Sequence, residues 1–327
     1  MSYSLPPALQ LIDVAPSPMA DQAEQQTRAW LESLGLTDSE RAIHQLDIYL
    51  PGKYAAFMWP HANAQTLNVL SDLTGWFSCQ DDLADEDLSC SPDALERALR
   101  QVHEVANERG GGERGGERGG LPGGLRDIIR RAGASMPEQW VRRTLDQYSS
   151  YLFCCVSAST HRLGGTQPGL ADYESVWRNA GGFQVCFEFT YFAHQINLPA
   201  TVYYCSLWQE LRRLSLNLMK AVNDVLSFCI LANPDEDVYN LLTHLRHHHG
   251  LSPDQAATEV NQRIEVWMRQ FLELQARLPD ELDQIGCETD VREQALRCAE
   301  AFRVQWLGNV GWHLSVPRYR EIRFRPN

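Results

Sequence analysis

From Leu207 to Cys229 the apolar positions Leu207, Leu211, Leu214, Leu218, Val222, Val225 and Cys229 recur at steps of four, three, four, four, three and four. At about 100° per residue these steps trace a single stripe along roughly six helical turns. A helix of that length with one apolar stripe must bury it against other helices or a sheet. The same spacing returns at Leu67, Leu70, Leu73 and Trp76 or Phe77, between Asn63 and Gln80. It returns again at Val291, Ala295, Cys298, Phe302, Trp306 and Val310, and a further helical pattern starts at Asp21 with Ala23, Trp30, Leu31 and Leu34. Two-residue alternation bounded by hairpin turns is missing. The sequence therefore predicts an all-α fold: one helical domain over residues 21–327, behind an extended arm, residues 1–20, that holds four prolines.

Residues 108–124, ERGGGERGGERGGLPGG, are low in complexity and carry almost no apolar side chains. Ordering so many glycines is entropically costly, which predicts a flexible loop between helices. A phosphate-cradling loop would need a strand before the glycines and Lys-Ser/Thr after them, and neither is present.

Charge narrows the partners. Lys and Arg total 29 against 42 Asp and Glu, a formal charge of −13. Such a chain is a poor binder of nucleic-acid backbones and is repelled by anionic lipid. No run of 18 apolar residues is present to span a membrane. The N-terminus lacks a basic region followed by an apolar core, so no secretory signal is visible. The nine cysteines are odd in number and form no Cys-x-x-Cys pair. Reduced thiols in a cytoplasmic protein are expected.

Three constellations carry chemistry. Asp81, Asp82 and Asp85, with Glu86 beside them, close the apolar Leu67–Phe77 helix. Asp81 and Asp85 are one turn apart, which predicts carboxylates on a shared face. Crowded carboxylates repel one another and oppose the dipole at a helix C-terminus. A hard cation such as Mg²⁺ offsets both, using one or two protein carboxylates and leaving other positions to water and phosphate oxygens. Such acids equally suit a solvated helix end or the cap of the next helix, but the apolar wall of Trp76 and Phe77 upstream favours the mouth of a pocket. In the second constellation, Asn223, Asp224 and Ser227, the asparagine and the serine stand four residues apart, about 100° around the helix from the Val222/Val225 stripe. They read as oxygen ligands for a second cation, or as a polar pair hydrogen-bonded inside the bundle. The third is arginine: Arg178, followed by Gly181 and Gly182, and Arg318-Tyr319 near the C-terminus. Each arginine alone suits a surface ion pair, but its planar fork also matches phosphate oxygens. The glycine pair should interrupt its helix.

Taken together in this order and spacing, these residues resemble the class I terpene synthases of bacterial and fungal type, from about residue 55 to residue 320. Asp81, Asp82 and Asp85 look like the acid-rich metal motif, with Pro60, Leu67, Asp72 and Trp76 before it. Asn223 and Ser227 resemble the asparagine/serine/glutamate motif. Arg178, 45 residues before Asn223, is similar to the diphosphate-sensing arginine. Gly182 is similar to the effector glycine of the helix break, and Arg318-Tyr319 to the C-terminal pair, approached through Trp306, Gly308, Asn309 and Trp312. One position departs. The family's second motif ends in an acid eight residues after the asparagine, and here that residue is Leu231, which cannot ligate a cation. Asp235 and Glu236 are the nearest acids beyond it.

The resemblance implies a single-domain helical bundle around a central apolar cavity. It also implies up to three Mg²⁺ ions clamping an isoprenyl diphosphate between Asp81/Asp82/Asp85 and Asn223/Ser227, with Arg178, Arg318 and Tyr319 on phosphate oxygens. The ionised chain would cyclise to a terpene hydrocarbon or alcohol, with farnesyl diphosphate favoured as substrate and geranylgeranyl diphosphate next. The family often pairs as homodimers. Candidate wall aromatics are Phe57, Trp76, Phe77, Phe153, Phe183, Phe187, Trp306 and Trp312, of which Phe77, Phe183 and Trp306 are retained. Two alternatives stand beside this reading. A chain-elongating prenyltransferase would want a second aspartate-rich motif in place of Asn223/Ser227. A helical scaffold protein would have lost metal binding at Leu231. His247-His248-His249 reads as a solvated helix end, because adjacent histidines on a helix point in different directions.

Overall fold

A computed structural model describes residues 2–3, 9, 14–107, 119–230, 237–319 and 323–324. Its elements, in chain order, are β1 (Ser2–Tyr3), α1 (Ala20–Ser33), α2 (Glu40–Tyr49), α3 (Pro51–Met58), α4 (Ala64–Asp82), α5 (Pro92–Asn107), α6 (Gly120–Gly133), α7 (Glu138–Gly164), α8 (Leu170–Val176), α9 (Phe183–Ala193), α10 (Ala200–Tyr203), α11 (Ser206–Ile230), α12 (Leu241–His249), α13 (Pro253–Ile285), α14 (Thr289–Ser315) and β2 (Arg323–Phe324). A π-helical turn, Leu83–Asp87, extends α4, and a 3₁₀ turn, Pro317–Tyr319, follows α14. The all-helical expectation holds except for one two-residue parallel pairing, Ser2 opposite Arg323 and Tyr3 opposite Phe324. No helix among the described residues is long and apolar enough to cross a membrane.

The periodic runs became the helices that the site stands on. The Asn63 side chain caps α4 by accepting from Thr66 N at 2.9 Å. Leu67, Leu70, Leu73 and Trp76 are all buried. The α11 stripe is buried from Leu207 to Val225, against α13 and α14. In α14, Ala295, Cys298, Phe302, Trp306 and Val310 are likewise buried. Burying each such side chain contributes roughly 1.5–3 kcal/mol. Beneath the site, fully buried Glu188 of α9 accepts from Arg143 at 3.2 Å, Arg212 at 2.9 Å and Tyr203 at 2.7 Å. That cluster fastens α9 to α7, α10 and α11.

The predicted loop over 108–124 does not reach its expected end. Residues 120–124 form the first turn of α6, and residues 108–118 lie outside the described set, as does much of the 1–20 arm. Helix is possible here because contacts replace the missing apolar side chains: Trp76 Nε1 donates to Leu121 O at 2.9 Å. A Cβ on Gly124 would lie only 2.7 Å from Trp76 Cδ1, so the glycine permits the close crossing. His247, His248 and His249 sit exposed at the end of α12, as expected.

The tightest crossing joins α14 to α3. A Cβ on Gly308 would lie 2.1 Å from Phe57 O, a backbone atom that cannot swing aside. Gly308→Ala should lower the unfolding free energy by about 3 kcal/mol in urea melts. Gly286→Ala has open space and only its positive φ of 73° to oppose it, so it should cost about 1 kcal/mol. Equal losses would contradict the crossing.

Candidate active site

The acid-rich motif grows directly out of the apolar face of α4. Helix α4 is buried almost to its end, where Gln80 accepts a hydrogen bond from the Tyr148 hydroxyl. Asp81 and Asp82 follow, half-buried, and the backbone then widens into the π-helical turn. A π turn accommodates extra chain per turn and redirects the side chains after it. Asp81 accepts from the Tyr151 hydroxyl. Asp85 instead reaches out to Arg162 at 2.5 Å, with its side chain 61% exposed. Tyr151 and Arg162 are eleven residues apart on α7, about three turns. Eleven residues return to nearly the same face of α7, so Asp81 and Asp85 both turn toward that helix and meet it at different levels. Arg162 also donates to Ala84 O at 3.2 Å and Ser89 O at 3.4 Å, so it clamps the whole turn. On the other flank, Arg41 pairs with Asp87 at 2.7 Å.

This leaves Asp81 and Asp82 as the acids most burdened by charge. Burial, then repulsion from Asp85, pushes the Asp81 carboxyl up to about 7, against the Tyr151 bond and the Arg318 charge. Burial pushes Asp82 up to about 6, opposed by Arg41 and Arg318.

Across from them stands α11. Asn223 turns its Nδ2 toward His313 Nε2 at 3.5 Å. His313 Nδ1 is 2.7 Å from Asn309 O and donates to it, which leaves Nε2 as the acceptor. Burial holds this imidazole neutral, with its pKa lowered to about 3. Burial raises the pKa of the Tyr319 hydroxyl, and Arg318 and the neighbouring Ser227 side chain oppose that rise. The 3₁₀ turn therefore stands between the two rims, with Tyr319 beside Ser227 and Arg318 acting on Asp81 and Asp82. Tyr319 is wedged against His313 at 4.6 Å and Trp312 at 5.6 Å between ring centroids. The Arg318 Nε is buried and has no hydrogen-bond partner among the described residues.

Arg178 lies at a different level. Its Nε donates to Asn217 Oδ1 at 3.0 Å, six residues before Asn223 on α11, and its Nη1 to Glu174 O at 3.4 Å. Burial, with Arg213 nearby, lowers its pKa. The helix does break as expected: α8 ends at Val176 and α9 starts at Phe183. Gly181 and Gly182 between them take φ of 97° and 69°, conformations that suit glycine. A Cβ on Gly182 would lie 2.8 Å from Phe77 Cε1, so the break rests directly on the Phe77 ring.

The aromatics divide. Phe77 packs edge-on against Trp76 and Tyr151, with centroids 5.2 and 5.6 Å away, joining the acid-rich helix to the break. Phe183 is buried beside Gly181. Trp306 is buried against Phe271 of α13, with its Nε1 unpartnered. Phe187 packs on Phe302 at 4.9 Å. Phe153 is no wall residue: it is 65% exposed on α7. Leu231, Asp235 and Glu236 lie outside the described residues, so the end of the second motif has no structural account. Tyr151, Arg162 and Arg41 escaped the sequence reading, because each meets the acids from an element distant in the chain.

A metal ion fits this chemistry in one form. Among the described residues, no three His, Cys, Asp or Glu side chains are grouped to hold a metal, so a closed protein cage is not built. Two charge-burdened carboxylates facing amide and hydroxyl oxygens suit Mg²⁺, which keeps positions for water and phosphate. The orphan donor of Arg318 suits an anion beside it.

The clamp on the π turn is testable. Arg162→Ala should speed amide exchange across 83–89 by about tenfold, the loss of roughly 1.4 kcal/mol of charge-assisted bonding. Exchange in the upstream half of α4 should be unchanged. Unaltered exchange across 83–89 would show that the turn holds without the arginine.

Comparison with known proteins gives the family. Residues 72–270, more than half of the chain, match the family model described as "Terpene synthase family 2, C-terminal metal binding". Pristinol synthase of Streptomyces pristinaespiralis is 26% identical over 306 residues, covering 93% of this chain and 82% of its own. A Roseiflexus castenholzii protein, "(+)-T-muurolol synthase ((2E,6E)-farnesyl diphosphate cyclizing)", is 29% identical over 245 residues, covering 73% of this chain and 72% of its own. The crystal structure of α-eudesmol synthase superposes with a TM-score of 0.83 at 20% identity, covering 96% of this chain and 99% of that one. The all-helical architecture, the acid-rich turn facing α11 and the matched family model lead to one conclusion: the chain belongs to terpene synthase family 2 and is an enzyme of the class I, bacterial-type terpene synthases.

Proposed function

We propose that this enzyme ionises farnesyl diphosphate with Mg²⁺ and cyclises the resulting cation to a sesquiterpene hydrocarbon or alcohol, releasing diphosphate. The observation that carries the reading is the Arg318–Tyr319 turn, set between Asp81/Asp82 on one side and Ser227 on the other. The farnesyl chain length is taken from the substrate that the Roseiflexus relative's name states.

Asp81 and Asp82, with Asn223 and Ser227 opposite, are the proposed Mg²⁺ ligands. Asp85 joins them if it leaves Arg162. The metal supplies Lewis acidity and offsets charge on the departing diphosphate. Arg318 and the Tyr319 hydroxyl donate to phosphate oxygens. Those bonds strengthen as negative charge collects there, so they favour the transition state over the bound substrate. Arg178 is the third proposed phosphate donor, reaching it by exchanging Asn217 for the anion, with Gly181 and Gly182 supplying the conformational freedom. Phe77, Phe183 and Trp306 are the proposed wall. Their faces attract a passing cation by roughly 0.5–2 kcal/mol each and help keep water from quenching it early. The proposed compartment is the cytoplasm, in keeping with nine unpaired cysteines, and the proposed assembly is a homodimer.

The test is incubation with Mg²⁺ and geranyl, farnesyl or geranylgeranyl diphosphate, followed by gas chromatography. Cyclised fifteen-carbon product is expected, and chelation should abolish it. Asp81→Asn and Asn223→Ala should each lower kcat/KM by about 100-fold or more with the fold intact. Longer diphosphates would instead indicate chain elongation, and full turnover by either variant would reject the assigned ligands.

A further inference from the structure

Between the two proposed ligands of α11 lies a carboxylate that the proposed chemistry does not use. Asp224 is fully buried, with burial pushing its carboxyl up to about 6. One of its oxygens takes the ammonium of Lys220, itself nearly buried. Its other oxygen, Oδ2, accepts twice: from Trp177 Nε1 at 2.7 Å and from Leu241 N, at the start of α12, at 2.9 Å. The backbone around it is tied as well. Asn240 Nδ2 donates to Asp224 O at 2.8 Å, and Lys220 Nζ to Tyr239 O at 3.0 Å.

The identity of the tied residues matters. Trp177 immediately precedes Arg178. Consecutive side chains thus grip α11 at two points, Trp177 at Asp224 and Arg178 at Asn217. Positions 217 and 224 are seven residues apart, two turns, and fall on nearly the same face. Asn223 and Ser227 project from the neighbouring face. If Arg178 leaves Asn217 for an anion at the rim, the Trp177–Asp224 bond is the fixed point about which its segment moves.

We infer that Asp224 is a positioning residue: through its bond to Trp177 it sets where Arg178 can meet a diphosphate held at the Asn223/Ser227 rim. This rests on the proposed function, because it presupposes diphosphate at that rim. Asp224 touches neither substrate nor metal in this scheme. It acts through Trp177, and Lys220 offsets its charge.

The test is a double-mutant cycle read by binding. Trp177→Phe removes the N–H but keeps a ring between Tyr173 and Trp267, its stacking neighbours. Inorganic diphosphate is titrated calorimetrically into the protein in saturating Mg²⁺. Trp177→Phe should weaken binding by about tenfold and raise KM for the isoprenyl diphosphate by a similar factor. In an Arg178→Ala background the same substitution should cost less than about twofold, because the group it positions is gone. A purely structural bond would cost the same in both backgrounds, and that result would overturn the inference. The Lys220→Met/Asp224→Asn pair keeps an oxygen for Trp177 and Leu241 while removing the buried ion pair. It should bind diphosphate within about twofold of the unaltered protein, and a tenfold loss there would also overturn the inference. If the unaltered protein fails to bind diphosphate with Mg²⁺, the rim assignment itself fails, an outcome distinct from additive losses.

Discussion

Asp81 and Asp82 end a helix that is otherwise apolar, so their charge is generated where water is scarce. Among the described residues, neither is in an ion pair. Asp81 has a tyrosine hydroxyl and the field of Arg318, and Asp82 has the fields of Arg318 and Arg41. Two of the acids that follow are already engaged, Asp85 by Arg162 and Asp87 by Arg41. Exposure separates them as well: Asp81 and Asp82 are half-buried, whereas Asp85, Glu86 and Asp87 in the π turn are exposed. What results is an electrostatic imbalance at one point, relieved by a cation. Beside it is an arginine whose Nε has no partner among the described residues, a lack relieved by an anion. A metal–diphosphate pair relieves both.

The rest of the bundle holds that imbalance in place. Phe77 touches the helix break through Gly182 and touches Tyr151, the donor to Asp81, so one ring couples the acid-rich helix, α7 and the Arg178 segment. Tyr319 neighbours Ser227 while packing on Trp312 and His313, so the C-terminal turn is set by α14 rather than left as a loose tail. Glu188 and its two arginines lock α9 from below. A buried charge cluster of this kind costs several kcal/mol to break, and that cost resists movement at the base of the bundle. Gly181 and Gly182 take conformations that other residues adopt only under strain.

Helices α4, α11 and α14 were legible from periodicity, because a buried stripe repeats every turn and leaves a local signature. The Gly181-Gly182 break and the solvated histidine run were legible for the same local reasons. The π turn over 83–87 was not, because it differs from an α turn by one residue of winding and no residue type announces it. Arg162, Tyr151 and Asp224's partners were hidden for another reason. Each contact joins residues tens of positions apart, and spacing within one helix says nothing of what faces it. Residues 120–124 were misread as loop because glycine content was weighed without the Trp76 contact that makes glycine necessary there.

The most direct measurement is a crystal structure of the protein grown with Mg²⁺ and inorganic diphosphate. The account predicts the anion between α4 and α11, with Asp81 and Asp82 on metal, Asn223 and Ser227 opposite, and Arg318 on a phosphate oxygen. Diphosphate bound elsewhere, or the two aspartates left without metal while the anion is in place, would contradict it.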